Sequence, residues 1–238
     1  MAPLPEAAPI ERIQENLLAR SERRLLTWLC ARMPAWVFPD LLSITGMLGA
    51  AMIFGGYLAS SLSRDWLWLS IAGYLVHWFG DSLDGSLARF REIERPRYGY
   101  FLDHSFDGLA TTLIVSGVGL SPYLLTETAL LALVGYLLLS IHAFLSVRVF
   151  GELRLSYLNL GPTEVRLILI ALTLVMFFVG PTRPVYRGWN GYDLFALAAA
   201  ALMIALFVVQ TIQKGRVLAR EEPPRHYRPG GLSGSARP

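Results

Sequence analysis

A chain of 238 residues that is 54% apolar and only 16% charged is too hydrophobic for a disordered or nucleic-acid-binding polypeptide, and its apolar residues fall in long blocks. Because about 20 residues cross a bilayer as a helix, several spans would leave no room for a separate soluble catalytic domain. The net charge of +3 comes from 20 Arg and one Lys against 18 acids, and the single cysteine, Cys30, excludes an intramolecular disulfide or a cysteine-based metal cage. The N-terminus has no basic stretch ahead of an apolar core, so a cleaved signal peptide is not expected.

In chain order, the first expected element is a helix within residues 1–37, lying in the headgroup region. There Ile13, Leu17, Leu18, Leu25, Trp28 and Leu29 recur near helical spacing, and Arg12, Arg20, Arg23 and Arg24 take most of the remaining surface. Six apolar segments follow, about Leu41 to Leu62, Trp66 to Phe90, Tyr100 to Leu120, Leu124 to Val147, Glu164 to Gly180 and Tyr192 to Ile212. Backbone groups in a bilayer must be satisfied internally, and no alternating ten-residue strand pattern supports a barrel. The expected fold is therefore all-α: a six-helix membrane domain over residues 38–216, preceded by the interfacial helix. A Pro-, Arg-, Gly- and Ser-rich tail over 217–238 is expected to be disordered.

Orientation follows from the basic residues. Six crossings put 18 Arg and Lys on the side of both termini and 3 on the other (Arg64, Arg183 and Arg187). That asymmetry predicts cytoplasmic termini, with the cell (inner) membrane as the expected location.

The chemistry sits where apolar helices turn acidic. The second segment runs apolar to Gly80 and then meets Asp81, Asp84 and Arg89; the third has scarcely begun before Asp103 and Asp107. A carboxylate deep in a span costs roughly 2.5 to 3.5 kcal/mol on insertion scales, so four of them without a neighbouring lysine need something cationic. At 1.5 Å per residue Asp81 lies about 22 Å beyond Trp66, which places both pairs in the cytoplasmic third. Residues three or four apart share a helix face, so Asp81 with Asp84, and Asp103 with Asp107, can form an oxygen cage for a hard divalent cation, Mg²⁺ or Mn²⁺. One nearby histidine, His104, is too little for zinc. Gly85, Ala88 and Gly99 would allow close approach of a base or phosphate, and Arg89 could grip a phosphate.

These residues form the pattern Asp81-x-x-Asp84-Gly85-x-x-Ala88-Arg89, nine residues, Gly99-x-x-x-Asp103-x-x-x-Asp107. It resembles the defining motif of the CDP-alcohol phosphotransferases, with all eight fixed positions present. The resemblance implies a membrane homodimer of phospholipid biosynthesis that moves a phospho-alcohol from a CDP-linked donor to a hydroxyl acceptor and releases CMP, one substrate being a lipid. It further implies Asp81, Asp84 and Asp103 as metal ligands, Asp107 as general base and possible ligand, and Gly85, Ala88, Arg89 and Gly99 as the lining of the CDP pocket.

The chain departs from the family where many members begin the first span with Pro-Asn-x-x-Thr. Here Pro39-Asp40-Leu41-Leu42-Ser43 stands instead, leaving Asp40 and Ser43 as nucleotide contacts or Asp40 as a helix cap. A histidine after the third Asp is similar to the branch holding the eukaryotic choline and ethanolamine phosphotransferases. His104, Arg148, Glu164 and Arg166 are candidates for the acceptor pocket, with helix capping the competing role for Glu164 and Arg166. His77 and His142 are expected to make packing hydrogen bonds. Two other readings explain intramembrane acids: a UbiA-type prenyltransferase, against which the Gly85, Ala88, Arg89 and Gly99 spacing argues, and a cation channel or carrier, which would not need all four acids at one depth.

Overall fold

The structure is a computed structural model that describes residues 11–13, 18–150, 152–154, 161–186 and 188–222. Seven α-helices carry the described residues: α1 (Ala19–Arg32), α2 (Pro39–Ala59), α3 (Leu67–Phe90), α4 (Pro96–Gly119), α5 (Thr126–Phe150), α6 (Pro162–Val179) and α7 (Gly191–Glu221). The one sheet among them is a parallel pairing of β1 (Glu11–Ile13) with β2 (Glu152–Arg154). Helices α2, α5, α6 and α7 are long and apolar enough to cross a membrane. Helices α3 and α4 have 24 residues each but carry the acidic pairs.

Helix starts follow local chemistry. Proline stands in the first turn of α2, α4 and α6, where its missing N–H has no intrahelical acceptor to lose. At α7 the Asn190 side chain accepts from the N–H groups of Tyr192 and Asp193, and the Asp193 carboxylate in turn accepts from the Asn190 N–H at 2.9 Å. The same buried carboxylate accepts from the Leu125 N–H at 2.8 Å and the Thr128 hydroxyl at 2.9 Å, tying the start of α7 to the start of α5.

The bundle is built on the contact of α2 with α3. Gly46 and Gly49 on α2 face His77 and Gly80 on α3 so closely that a Cβ added at Gly80 would stand 2.2 Å from the Gly46 nitrogen. Beyond this seam, towards the C-terminal end of α2, Ile53, Tyr57, Leu67, Tyr74, Ile114, Val118, Tyr123, Met176 and Tyr192 form the main apolar core. Its polar atoms are paired: the Tyr57 hydroxyl lies 2.6 Å from the Thr173 hydroxyl and 3.3 Å from that of Tyr74. A smaller cluster at the other end joins Cys30, Val37, Leu42, Leu83 and Leu87, and the two clusters fix α3 relative to α2 at both ends.

The N-terminal expectation needs correction. The helix starts at Ala19, Ile13 belongs to β1, and Leu17 lies outside the described residues. The inward face is Leu26, Leu29, Cys30 and Met33, which packs against Leu83 and Leu87, whereas Leu25 and Trp28 point outward. Packing against α3 chose the 26/29/30/33 stripe over the 25/28/29 stripe because it offers a contiguous apolar neighbour. At the other terminus α7 continues through Glu221, so residues 217–221, placed in the tail by composition, extend the helix. Residues 223–238 lie outside the described residues.

Candidate functional site

At the C-terminal end of α3, three helices converge on one cavity, lined by Ser43, Gly46 and Met47 of α2, His77, Asp81 and Asp84 of α3, and Asp103 and Phe106 of α4. Three of the four aspartates singled out by the motif therefore share one wall. The helical period explains why: Asp81 lies one turn beyond His77, and Asp84 a further three residues on, so all three lie along one face of α3. Asp107, one turn beyond Asp103 on α4, is half-buried and within electrostatic reach of Asp81, Asp84, Asp103 and Arg166.

Each carboxylate has a different partner. The Ser43 hydroxyl donates to Asp84 at 2.6 Å, and the other Asp84 oxygen accepts the Gly85 N–H at 2.5 Å. Asp81 is ion-paired with Arg166 from α6, the two side chains being 22% and 12% exposed. Asp103 lies 3.1 Å from His104 Nδ1. Carboxylate or imidazole atoms of Asp103, His104 and Asp107 can all lie within 4.8 Å of one another. The His104 ring is sandwiched between Tyr100 at 4.2 Å and Phe144 of α5 at 5.0 Å, and its Nε2 is buried with no hydrogen-bond partner among the described residues.

Four carboxylates around one guanidinium leave an excess of negative charge, and the donors are almost all oxygen. That set fits a hard divalent cation, with Asp81, Asp84, Asp103 and Asp107 as its candidate ligands and His104 as an edge ligand.

The remaining candidates distribute unevenly. Ser43 reaches the cavity; Asp40 instead pairs with Arg95, which stands just before α4. Asp40 does not cap α2 either, because the N-cap is Phe38 and makes no side-chain cap bond. Gly85, Ala88 and Arg89 stand at the end of α3, outside the cavity wall. Arg89 is exposed and folds back over Gly85, with its guanidinium 3.4 Å from where a Gly85 Cβ would lie. Gly99 is an exposed residue in the first turn of α4 with open space at its Cα. Arg148 is exposed in the last turn of α5.

Glu164 acts as a cap. Its carboxylate accepts the Gly161 N–H and the Leu18 N–H, each at 3.0 Å, because an acid at the third helical position can reach back to the N-cap amide. Of the two expected roles of Glu164, these bonds are those of the cap, while Arg166, two residues on, is directed at Asp81. The His77 ring donates from Nδ1 to the Gly46 carbonyl at 3.0 Å, and His142 lies 3.3 Å from the Thr211 hydroxyl.

Residues 36–213 match the family of CDP-alcohol phosphatidyltransferases. The chain belongs to that family. It is 27% identical over 196 residues to cholinephosphotransferase 1 of Gallus gallus, covering 75% of this chain and 57% of that protein. It is 33% identical over 101 residues to archaetidylinositol phosphate synthase of Methanothermobacter thermautotrophicus, covering 42% of this chain and 49% of that one. The chain thus spans about half the length of the curated relatives it matches. Its fold is similar to the crystal structure of the Mycobacterium tuberculosis phosphatidylinositol phosphate synthase with CDP-DAG bound, at a TM-score of 0.50 and 20% identity over 92% of this chain and 100% of that one. Membership of the CDP-alcohol phosphatidyltransferase family gives no support to a prenyltransferase or a cation channel.

Sequence reasoning missed three features of this site. His77 was expected to make a packing hydrogen bond, as it does with Gly46, but its place on the cavity wall could also have been found, since it precedes Asp81 by one helical turn. Tyr136 of α5, beside Thr111 and within electrostatic reach of Asp107 and Asp81, carried no motif signal. Neither did Glu22 of α1, which accepts from Trp78 Nε1 of α3 at 3.0 Å and from the Thr163 hydroxyl of α6 at 2.5 Å.

Proposed function

We propose that this protein transfers a phospho-alcohol from a CDP-linked donor to a hydroxyl acceptor, one of them a lipid, and releases CMP. The observation that carries the reading is the convergence of Asp81, Asp84 and Asp103 with Ser43 on one cavity, with Asp107 one turn further along α4. Asp81, Asp84, Asp103 and Asp107 would hold one or two Mg²⁺ or Mn²⁺ ions, which supply charge neutralisation of the donor's diphosphate.

Within that frame the chain's own groups have separable roles. Asp107 takes the proton from the acceptor hydroxyl as its oxygen bonds to the β-phosphorus of the donor, and the bond from that phosphorus to CMP breaks. Ser43 holds Asp84 in place by its 2.6 Å bond. The small residues Gly85, Ala88 and Gly99 leave room for the nucleotide over the ends of α3 and α4, with Arg89 beside the diphosphate. His104 and Arg148 are assigned to the acceptor side, and the lipid is taken to enter sideways from the bilayer.

The same reading makes all six of α2 to α7 membrane spans, with α1 in the headgroup layer presenting Arg20, Arg23, Arg24, Leu25 and Trp28 outward. Leu25 and Trp28 are 45% and 51% exposed, which suits a lipid-facing surface. Both termini and the cavity then face the cytoplasm of an inner-membrane homodimer, in keeping with the basic excess on that side.

The test is to incubate the purified protein with a panel of CDP donors and hydroxyl acceptors and to follow CMP. Release should need Mg²⁺ or Mn²⁺ and should be lost in Asp84→Ala. Undiminished turnover in excess chelator would remove the metal from the reading, and the absence of CMP with every donor would remove the reaction.

A further inference from the structure

The ion pair between Arg166 and Asp81 joins a basic side chain of α6 to the first acid of the motif, 85 residues away. Both side chains are largely shielded from solvent, at 12% and 22% exposure, so this is no loose surface pair. A guanidinium on the Asp81 carboxylate and a divalent cation on the same carboxylate repel each other and compete for the same lone pairs.

The backbone that carries Arg166 is firmly placed. Glu164 caps the start of α6 and reaches the Leu18 amide, and Thr163 is bonded to Glu22, which also holds Trp78 of α3. Helices α3 and α6 are therefore pinned to each other one turn from the pair, and Arg166 can leave Asp81 by rotation of its own side chain, with no movement of the helix.

We infer that Arg166 is a placeholder cation, which occupies Asp81 until a divalent ion binds and then passes its guanidinium to a phosphate oxygen of the incoming donor. The inference rests on the metal and CDP-donor reading above. Its chemistry is the ordinary preference of a guanidinium fork for a carboxylate or a phosphate. The exchange leaves no step at which the acids stand together without a counter-charge. It also makes metal binding and nucleotide binding mutually supportive, because the phosphate accepts the cation that the metal displaces. Arg166 is thus a positioning residue in the empty site and a substrate contact in the loaded one.

The experiment measures Mn²⁺ binding to the full-length protein by electron paramagnetic resonance, with and without CDP. Arg166→Gln should bind Mn²⁺ about tenfold more tightly than wild type without nucleotide, since a competing charge partner has been removed. Wild type should gain affinity for Mn²⁺ when CDP is added, and Arg166→Gln should not. Equal or weaker Mn²⁺ binding by Arg166→Gln would overturn the exchange. A second measurement uses wild type alone: phenylglyoxal modification of Arg166, read by peptide mass spectrometry, should rise several-fold on adding Mn²⁺ and fall again on adding CDP. No change with Mn²⁺ would overturn the exchange even if the variant did not fold. Asp84→Asn separates the two levels of the argument. If it binds Mn²⁺ as wild type does, the metal site itself is misassigned; if it loses Mn²⁺ while Arg166→Gln is unchanged, only the exchange fails.

Discussion

The Gly80→Ala substitution tests whether the seam between α2 and α3 sets the geometry of the acidic cavity. The added Cβ would lie 2.2 Å from the Gly46 nitrogen, 2.5 Å from the Leu42 carbonyl oxygen and 2.6 Å from the Gly46 Cα. All three are backbone atoms, so no rotamer change relieves the clash, and ordinary contact requires α2 to move away by roughly 1 Å. Overpacking of this kind costs about 1–3 kcal/mol, which for a chain of this size lowers Tm by about 2–4 °C per kcal/mol. The displacement acts directly on the site, because Ser43 precedes Gly46 by one turn and Asp84 follows Gly80 by one turn, and their 2.6 Å bond spans the two helices. A misplacement of about 1 Å at reacting groups can lower the rate by about 10²-fold. Alanine is the better helix former by about 1 kcal/mol, so a loss cannot arise from propensity. Gly55→Ala, on the partner helix α2 with open space at its Cα, is the control and should keep wild-type CMP release and Tm. Wild-type Tm and turnover in Gly80→Ala would refute the idea that close backbone approach positions the acids.

Asp107→Asn keeps the shape of the side chain and removes its basicity, so turnover should fall by roughly 10² to 10⁴-fold while calorimetry still shows CDP binding; loss of both together would make Asp107 chiefly a metal ligand. Asp193→Ala strips a buried carboxylate from the Leu125, Thr128 and Asn190 donors and should destabilise the protein by about 2–4 kcal/mol in thermal unfolding, with little effect on CMP release well below Tm; an unchanged Tm would show that the α5–α7 tie contributes nothing. Burial pushes the Cys30 thiol above its usual range, with Arg89 and Arg91 opposing the shift, so the reactive thiolate is scarce at neutral pH and its labelling should become appreciable only at a pH above the usual thiol range; fast labelling at pH 7 would contradict the packing of α1 on α3. A cysteine at Ser105, exposed near the start of α4, in a background lacking Cys30, should be labelled by an impermeant reagent from the cytoplasmic face; labelling only from the opposite face would reverse the proposed topology.

What the amino-acid sequence determined by itself is periodic and local. Apolar runs of about 20 residues give the helices, with ends within a few residues of those observed except at the end of α7, which runs on to Glu221, because hydropathy and the placement of proline act over one or two turns. Spacings of three and four put Asp81 with Asp84, and Asp103 with Asp107, on single helix faces, and the eight motif positions pointed to the family before any tertiary contact was known. Tertiary structure alone decided which partners those faces meet. Ser43 and Asp84 are 41 residues apart, Arg95 and Asp40 are 55 apart, and Arg166 and Asp81 are 85 apart, and no helical period relates residues on different helices. Glu164 could be a cap or a ligand until the chain brought the Leu18 amide to it. The inward stripe of α1 likewise depended on which apolar surface α3 presented. Pairing between helices is set by how closely backbones can approach, here through Gly46, Gly49 and Gly80, and that depends on the shapes of two helices at once, which one helix's periodicity does not specify.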